Sequence, residues 1–522
     1  MNHKRHFFGK TTFLSVLLCA VLAWTGASYA ELKLPAVIDS NMVLQQGKAL
    51  QLWGWADAGE QVSVKGSWSS MVWHAKADKD GKWHVSIDSP AAGGPYTISI
   101  NDKKLKNVLC GEVWVCSGQS NMELPLERTE NSEAEIAASD YPNIRLFTVK
   151  RTVAVRPQDD CTASWSQCSP QTSRRFSAVG YFFGRKLQSE LNVPVGLINT
   201  SWGGTRIEPW TPPVGFQQVP ALENIRQEIQ QAEAQYSKNA AESIDEIEAW
   251  TKQARIALAA NTPVPEPPKL PRHPLNERQK PTALYNAMIA PLVPFGIKGA
   301  IWYQGESNRA DGLLYFEKTK ALIGGWRSIW KQADMPFYYV QLAPYKYRGD
   351  PTLLAQIWQA QCKALSIPNT GMAIINDIGN LSDIHPKNKV DVGGRLALWA
   401  LTKTYDRDGF EYCGPLYKSM AVKNGRIRIR FDHAGSGLVS RDGKALTWFT
   451  IAGADKKFVE ANAMIRGKSV VVWSDTVATP VAVRFAWDQL AEPNLMNKQG
   501  LPASSFRTDD WELVPVLPVE PK

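Results

Sequence analysis

A layered α/β domain with a mostly parallel sheet, flanked on both sides by β-sandwich-like domains, is the architecture the sequence predicts. From about residue 109 to 405, short apolar runs ("GEVWVCSG", "VPVGLINT", "IKGAIWYQ", "PFYYVQLAP", "GMAIINDIG") alternate with longer helical patterns, as strands buried on both faces do. Before and after that stretch, apolar and polar residues alternate between turn signals, as in half-buried antiparallel strands. The 522 residues, 44% of them hydrophobic, suffice for two or three such units.

Residues 1–30 read as a secretory signal. They hold a basic "HKRH", the apolar run "FLSVLLCAVLAW" and small residues ending at Ala30. The apolar run is shorter than the ~20 residues a membrane span needs, so an exported chain beginning at Glu31 is expected, with the periplasm as first destination and secretion open. No later segment is apolar enough to cross a bilayer. Six cysteines follow the signal, too few for a disulfide scaffold, and none has metal-ligand spacing. Cys161 and Cys168 are near enough in sequence to close a small loop, with pairing left open. The formal charge of +9 is spread along the chain without a basic tract, which gives no case for nucleic acid. Twenty tryptophans supply flat rings suited to sugar faces as well as to the core.

Residues 31–108 form the first β-domain, from strands such as "ALQLWGWA", "EQVSVKG" and "KWHVSID", with Asp80-Gly81 as a hairpin signal. Residues 109–414 form the α/β domain, whose ligand should lie beyond the carboxyl ends of the strands. Within it, residues 213–282 break the pattern. Leu222 to Tyr236 and Ile244 to Leu258 give two apolar stripes at helical spacing, read as two helices, and the proline-rich "TPVPEPPKLPRHP" is an extended return. Residues 415–522 return to β grammar, with "GRIRIRF" beginning at the glycine of Asn424-Gly425.

The chemistry gathers at strand ends. In "EVWVCSGQSNM", Ser120 falls where a buried strand gives way to a helix, which lifts its hydroxyl out of the sheet; the plain alternative is a turn with an N-cap. Ser117 is a second candidate nearer the strand. A serine nucleophile needs a base. Of seven histidines, two leave with the signal, three lie in the flanking β-domains and His273 lies in the proline-rich stretch, which leaves His385 in "LSDIHPKNKVD". Asp383 is positioned to orient it, with Asp377 as rival. Oxyanion donors are offered by "NTSWGGTRIEPW" through Gly203 and Gly204, and by "WYQGESN" through Gln304 and Asn308. Glu306 opens a different reading, a carboxylate-pair glycosidase with Asp383 or Glu208.

Taken together, "GEVWVCSGQSNMELPL", "NTSWGGTRIEPW", "WYQGESN" and "SDIHPKNK" resemble the sialate O-acetylesterase group of the SGNH (GDSL-like) hydrolases, and "NMVLQQG" and "EPNLMNKQGLPASSFRTDDW" extend the resemblance over almost the whole mature chain. It implies a flavodoxin-like three-layer α/β/α esterase domain that removes acetyl groups from sugar hydroxyls without metal or cofactor. Carried over, Ser120 is the nucleophile, His385 the base, Asp383 its orienting acid, and Ser120, Gly203 and Gln304 the oxyanion donors, with Asn308 in reserve. Acetylated sialic acid and acetylated plant oligosaccharides such as xyloglucan or xylan are the expected substrates, with a lean to the plant class. Arg206 and Glu306 are candidate substrate contacts, Arg206 for a sialate carboxylate. A carbohydrate-binding protein without catalysis is the reading from another class. Oligomeric state is not legible.

Overall fold

The computed structural model describes residues 32–513, so the expected signal at 1–30 lies outside them. The central sheet is built on β1 (Lys103–Gly118), whose first half pairs with the preceding strand Gly93–Ile100 and whose second half enters the α/β layer. The other strands are β2 (Tyr141–Thr148), β3 (Trp165–Cys168), β4 (Val195–Asn199), β5 (Gly299–Tyr303), β6 (Phe337–Val340) and β7 (Thr370–Ala373). They lie in the order β3-β2-β4-β1-β5-β6-β7, parallel throughout except for β3. With the β2–β3 hairpin set aside, the order is the 2-1-3-4-5 of flavodoxin-like sheets. That hairpin has no counterpart in the sequence reading.

Helices cover both faces. Ser117 on β1 is in register with Trp302 on β5, so the two share a face, whereas Trp114, three residues earlier, points the other way. Trp114 packs edge-on to Phe183 of α2 (Ala178–Leu191), and Trp302 packs on Trp326 of a later helix, Leu314–Ile329. One hydrophobic cluster runs from Leu32 to Cys413, so the first β-rich segment and the α/β layer share a core.

The N-terminal segment corrects one expectation. Gly81 takes φ +75° in a turn closed by the Asp78 carboxylate, but the strands on either side, Trp73–Lys76 and Lys82–Ile87, pair with Gln61–Gly66 and Leu50–Trp55 rather than with each other. The insertion corrects another. Instead of two helices there is one, α3 (Glu223–Ala259), of 37 residues. No proline or glycine lies within it, so nothing ends it between the two apolar stripes. The proline-rich return runs back along α3: Pro265 accepts from the Trp250 indole at 2.8 Å, and the His273 and Tyr236 rings lie 4.4 Å apart.

After residue 415, two four-stranded sheets share a second core built on Ile427, Ile429, Phe449, Val470 and Phe485. The six cysteines from Cys110 to Cys413 are free thiols. Among the described residues, no helix is long and apolar enough to cross a membrane, and no three His, Cys, Asp or Glu side chains gather as a metal site.

Candidate active site

β1 ends at Gly118, where φ is +139° and a Cβ would lie 2.1 Å from the Tyr303 carbonyl oxygen. Only glycine lets β1 and β5 approach this closely before the chain turns. The turn leads into α1 (Ser120–Glu123), so Ser120 stands at the first helical position, where the amide has no acceptor within the helix. Ser120 opens onto a cleft of about 550 Å³ that also holds His385, Asn199 and Ser201. The carboxyl ends of β1 and β4 and the loop after β7 therefore meet at one site, on the side of the sheet where such folds bind ligands.

His385 lies in the loop before α4 (Lys389–Lys403) and is partly buried. Burial lowers its pKa below the ordinary imidazole value; the Asp383 charge opposes this, and Lys389 and Arg128 add to it. The neutral, proton-accepting ring is thereby favoured. The Asp383 Oδ1 lies 3.6 Å from the ring Nδ1, beyond hydrogen-bond length, and accepts the His385 backbone N–H at 2.9 Å. Asp377 is engaged elsewhere, gripped by both arms of Arg395 at 2.6 and 2.7 Å.

Gly203 sits against the serine: a Cβ there would approach the Ser120 Cβ to 3.3 Å. Its N–H donates to the Glu123 carboxylate, whose other oxygen is held by Arg151 at 2.5 Å. Gln304 and Asn308 lie deeper and are fully buried. The Gln304 amide donates towards Gln119 Oε1, the Thr205 carbonyl and Asn308 Oδ1, so its two hydrogens already have three acceptors. Asn308 in turn donates to Glu208 and Asp311. Neither carboxamide lines the cleft, contrary to the sequence expectation for an oxyanion donor. Asn199 does line it. Its Oδ1 accepts from the Ser201 amide and hydroxyl at 3.1 and 2.6 Å, and its Nδ2 has no partner among the described residues.

Arg206 also departs from expectation. Its guanidinium is bound to Glu208 at 3.0 Å and Asp311 at 2.9 Å, and Lys318 closes the cluster at 2.7 Å from each carboxylate. Burial alone would raise the Glu208 pKa, but Lys318 and Arg206 outweigh it and hold the carboxyl at about 2. Arg206 is thus a structural ion-pair member that does not reach the cleft, and Glu208 is not available as a glycosidase acid.

Glu306 is likewise turned inward. Asn121, the residue after Ser120, donates to Glu306 Oε1 at 2.6 Å and to the Ile384 carbonyl at 2.9 Å, and accepts from the Lys389 ammonium at 2.7 Å. One carboxamide therefore ties the serine helix to the histidine loop and to α4. Burial pushes the Glu306 carboxyl up and draws the Lys389 ammonium down to about 7. Sequence reasoning missed Asn121 and Lys389; the available signal was a lysine set against the apolar face of "KVDVGGRLALWAL". It also missed the cations of the cleft wall. Of Arg128, Lys150, Arg151 and Arg175, only Arg151 has a carboxylate partner among the described residues.

Comparison with known proteins gives consistent matches. The family model described as "Carbohydrate esterase, sialic acid-specific acetylesterase" matches residues 110–249 and 273–401. The sialate O-acetylesterase of Rattus norvegicus is 29% identical over 500 residues, covering 86% of this chain and 88% of its own. That of Homo sapiens is 27% identical over 518 residues, covering 90% of each. The crystal structure of a carbohydrate acetylesterase from Xanthomonas citri superposes with a TM-score of 0.78 at 35% identity, covering 92% of this chain and all of the other.

Proposed function

The chain belongs to the carbohydrate esterase family of sialic acid-specific acetylesterases and is a carbohydrate O-acetylesterase, and we propose that it works by serine-histidine acyl transfer in the cleft at Ser120. The observation that carries this reading is the shared cleft, in which a serine at a strand-to-helix turn and a partly buried histidine of lowered pKa face the same space.

His385 takes the Ser120 proton as Oγ attacks the acetyl carbonyl. The carbonyl oxygen becomes an oxyanion held by the Ser120 and Gly203 amides, once the Glu123 carboxylate has moved off Gly203 towards Arg151. The sugar oxygen leaves with the proton from His385. Water then attacks the acetyl-serine by the same steps, releasing acetate and restoring the serine. Asp383 supports the imidazolium through its charge. Asn199 supplies the third oxyanion donor, and Gln304 acts one layer behind, holding Gln119. Loss of Ser120 by Ser120→Ala should abolish acetate release, and Asn199→Ala should cost roughly 10²- to 10³-fold in kcat. A full effect at Gln304→Ala with none at Asn199→Ala would return the donor role to Gln304.

The substrate we infer is an acetylated sugar bearing a carboxylate, such as acetylated sialic acid, because Arg128, Lys150 and Arg175 line the cleft and have no ion-pair partner among the described residues. Acetate release compared across acetylated sialic acid, xyloglucan and xylan oligosaccharides tests this, and preference for the neutral oligosaccharides would reverse it. Export to the periplasm rests on the leader-like residues 1–30, and the flanking β-rich segments are read as sandwich-like braces of the 109–414 esterase unit.

A further inference from the structure

A second surface, on the C-terminal sheet, gathers five cationic side chains around one trough. Its strands are β8 (Leu416–Lys423), β9 (Arg426–Asp432), β10 (Asn462–Arg466) and β11 (Ser469–Trp473), in the order β8-β9-β11-β10. Asn424 and Gly425, both at positive φ, make the two-residue turn that joins β8 to β9 and fixes their register. That register buries Ile427, Ile429 and Phe431 in the core and turns Arg426, Arg428 and Arg430 outward. Lys423 stands opposite Arg426, and Arg466 lies two strands away at the level of Arg430, through Ser469.

The outward side chains opposite Arg428 and Arg430 are Ala421, Val471, Ser419 and Ser469. The carboxylate on this face of β9, Asp432, lies beyond Arg430, is paired with Lys418 at 2.6 Å and does not line the trough. Arginines two apart on a strand are about 7 Å from one another, and like charges on one face of a sheet destabilise it. Lys423, Arg428, Arg430 and Arg466 have no ion-pair partner among the described residues, and Arg426 instead lies over the Trp473 ring at 4.8 Å. Lys423, the three β9 arginines and Arg466 border a trough of about 770 Å³. Its concave shape does not match a flat bilayer, and its few apolar side chains, Ala421, Met464 and Val471, offer no anchor for one.

We propose that this trough is a docking site, separate from the catalytic cleft, for an acidic polysaccharide whose carboxylates pair with Arg426, Arg428, Arg430 and Arg466. Charge complementarity selects the occupant: guanidinium forks match planar carboxylates, and the chain that carries the trough is itself a carbohydrate O-acetylesterase. The site would hold the enzyme on a charged glycan while the cleft works on acetyl groups nearby.

Binding of the full chain to polygalacturonate, which carries carboxylates and has no acetyl group to be removed, tests the proposal by calorimetry at low and moderate salt. Saturable binding that weakens with salt, falls at least tenfold in the Arg428→Ser/Arg430→Ser/Arg466→Ser variant and falls partially in Arg428→Ser alone is the expected result. Acetate release from a small soluble ester by both variants should equal that of the wild type, which reports an intact fold and keeps this test apart from the catalytic reading. No binding, or undiminished binding by the triple variant, would overturn the proposal. Equal binding of poly-L-glutamate or of phosphatidylglycerol vesicles would reduce the trough to a general anion surface and overturn the assignment to a glycan.

Discussion

Asn121 shows how one buried carboxamide can set the geometry of a reaction it does not join. It uses both donors and its acceptor on three separate elements, so no isosteric side chain replaces it: an aspartate cannot donate to both the Ile384 carbonyl and Glu306. We expect Asn121→Ala to lower kcat by about 10- to 100-fold through misplacement of Ser120 relative to His385, with KM changed little and the thermal midpoint lowered; steady-state kinetics beside a melting curve separates the two effects. The histidine gives a pH prediction. Because burial lowers its pKa, activity should rise with pH through a midpoint below 6.5 and stay high above it. The Asp383 charge pulls that pKa up, so in Asp383→Asn the acid limb of kcat/KM should move to still lower pH. A limb moved upward would show that Asp383 does not act on the imidazole by charge.

At the scale of elements, the loop after β4 is fastened to the helix Leu314–Ile329 by the cluster of Arg206, Glu208, Asp311 and Lys318. Removing one partner of a buried charge cluster leaves the others uncompensated, so Lys318→Met should destabilise the fold by about 3–5 kcal/mol, measurable by denaturant unfolding. Glu208 has a folded pKa of about 2 against an ordinary 4.5. Its contribution to stability is thus fully present above pH 4.5 and is lost as pH falls towards 2. The same carboxylates that form this latch make Arg206 unavailable to substrate, which the motif "TRIEPW" does not reveal.

At the scale of the whole molecule, attachment is uneven. The sheet and the first β-rich segment share one continuous core, whereas α3 buries only Ile225 and Ala254, and Lys269 and Arg272 lie exposed on its return. Local opening is cheapest where few apolar contacts must be broken. Limited trypsin digestion should therefore cut first after Lys269 or Arg272, and the nicked protein should keep its esterase activity on small substrates. First cleavage within the C-terminal sheets would contradict this ranking. Those sheets are joined to the α/β layer through the Asn376 amide on the Ala503 carbonyl at 2.8 Å and Gln341 on Ser504 at 2.8 Å, close behind the histidine loop.

The sequence by itself determined five of the seven strands of the central sheet, all but the β2–β3 hairpin, and the candidate nucleophile and base. Buried parallel strands must be continuously apolar, which made "VPVGLINT" and "IKGAIWYQ" legible as β4 and β5, and elimination left one histidine in the α/β grammar. Local signals also led astray, as at Asp80-Gly81, where the turn is real but strand pairing is set by partners distant in sequence. Tertiary structure alone decided which polar groups reach the cleft. Gln304, Arg206 and Glu306 occupy motif positions that look chemical, yet each finds its partners beneath the surface, while Asn199 and the unpaired cations face the open space. The physical reason is that a polar side chain's role depends on which acceptors and charges lie within about 3 Å of it, and those come from residues as far apart as Asn121 and Lys389.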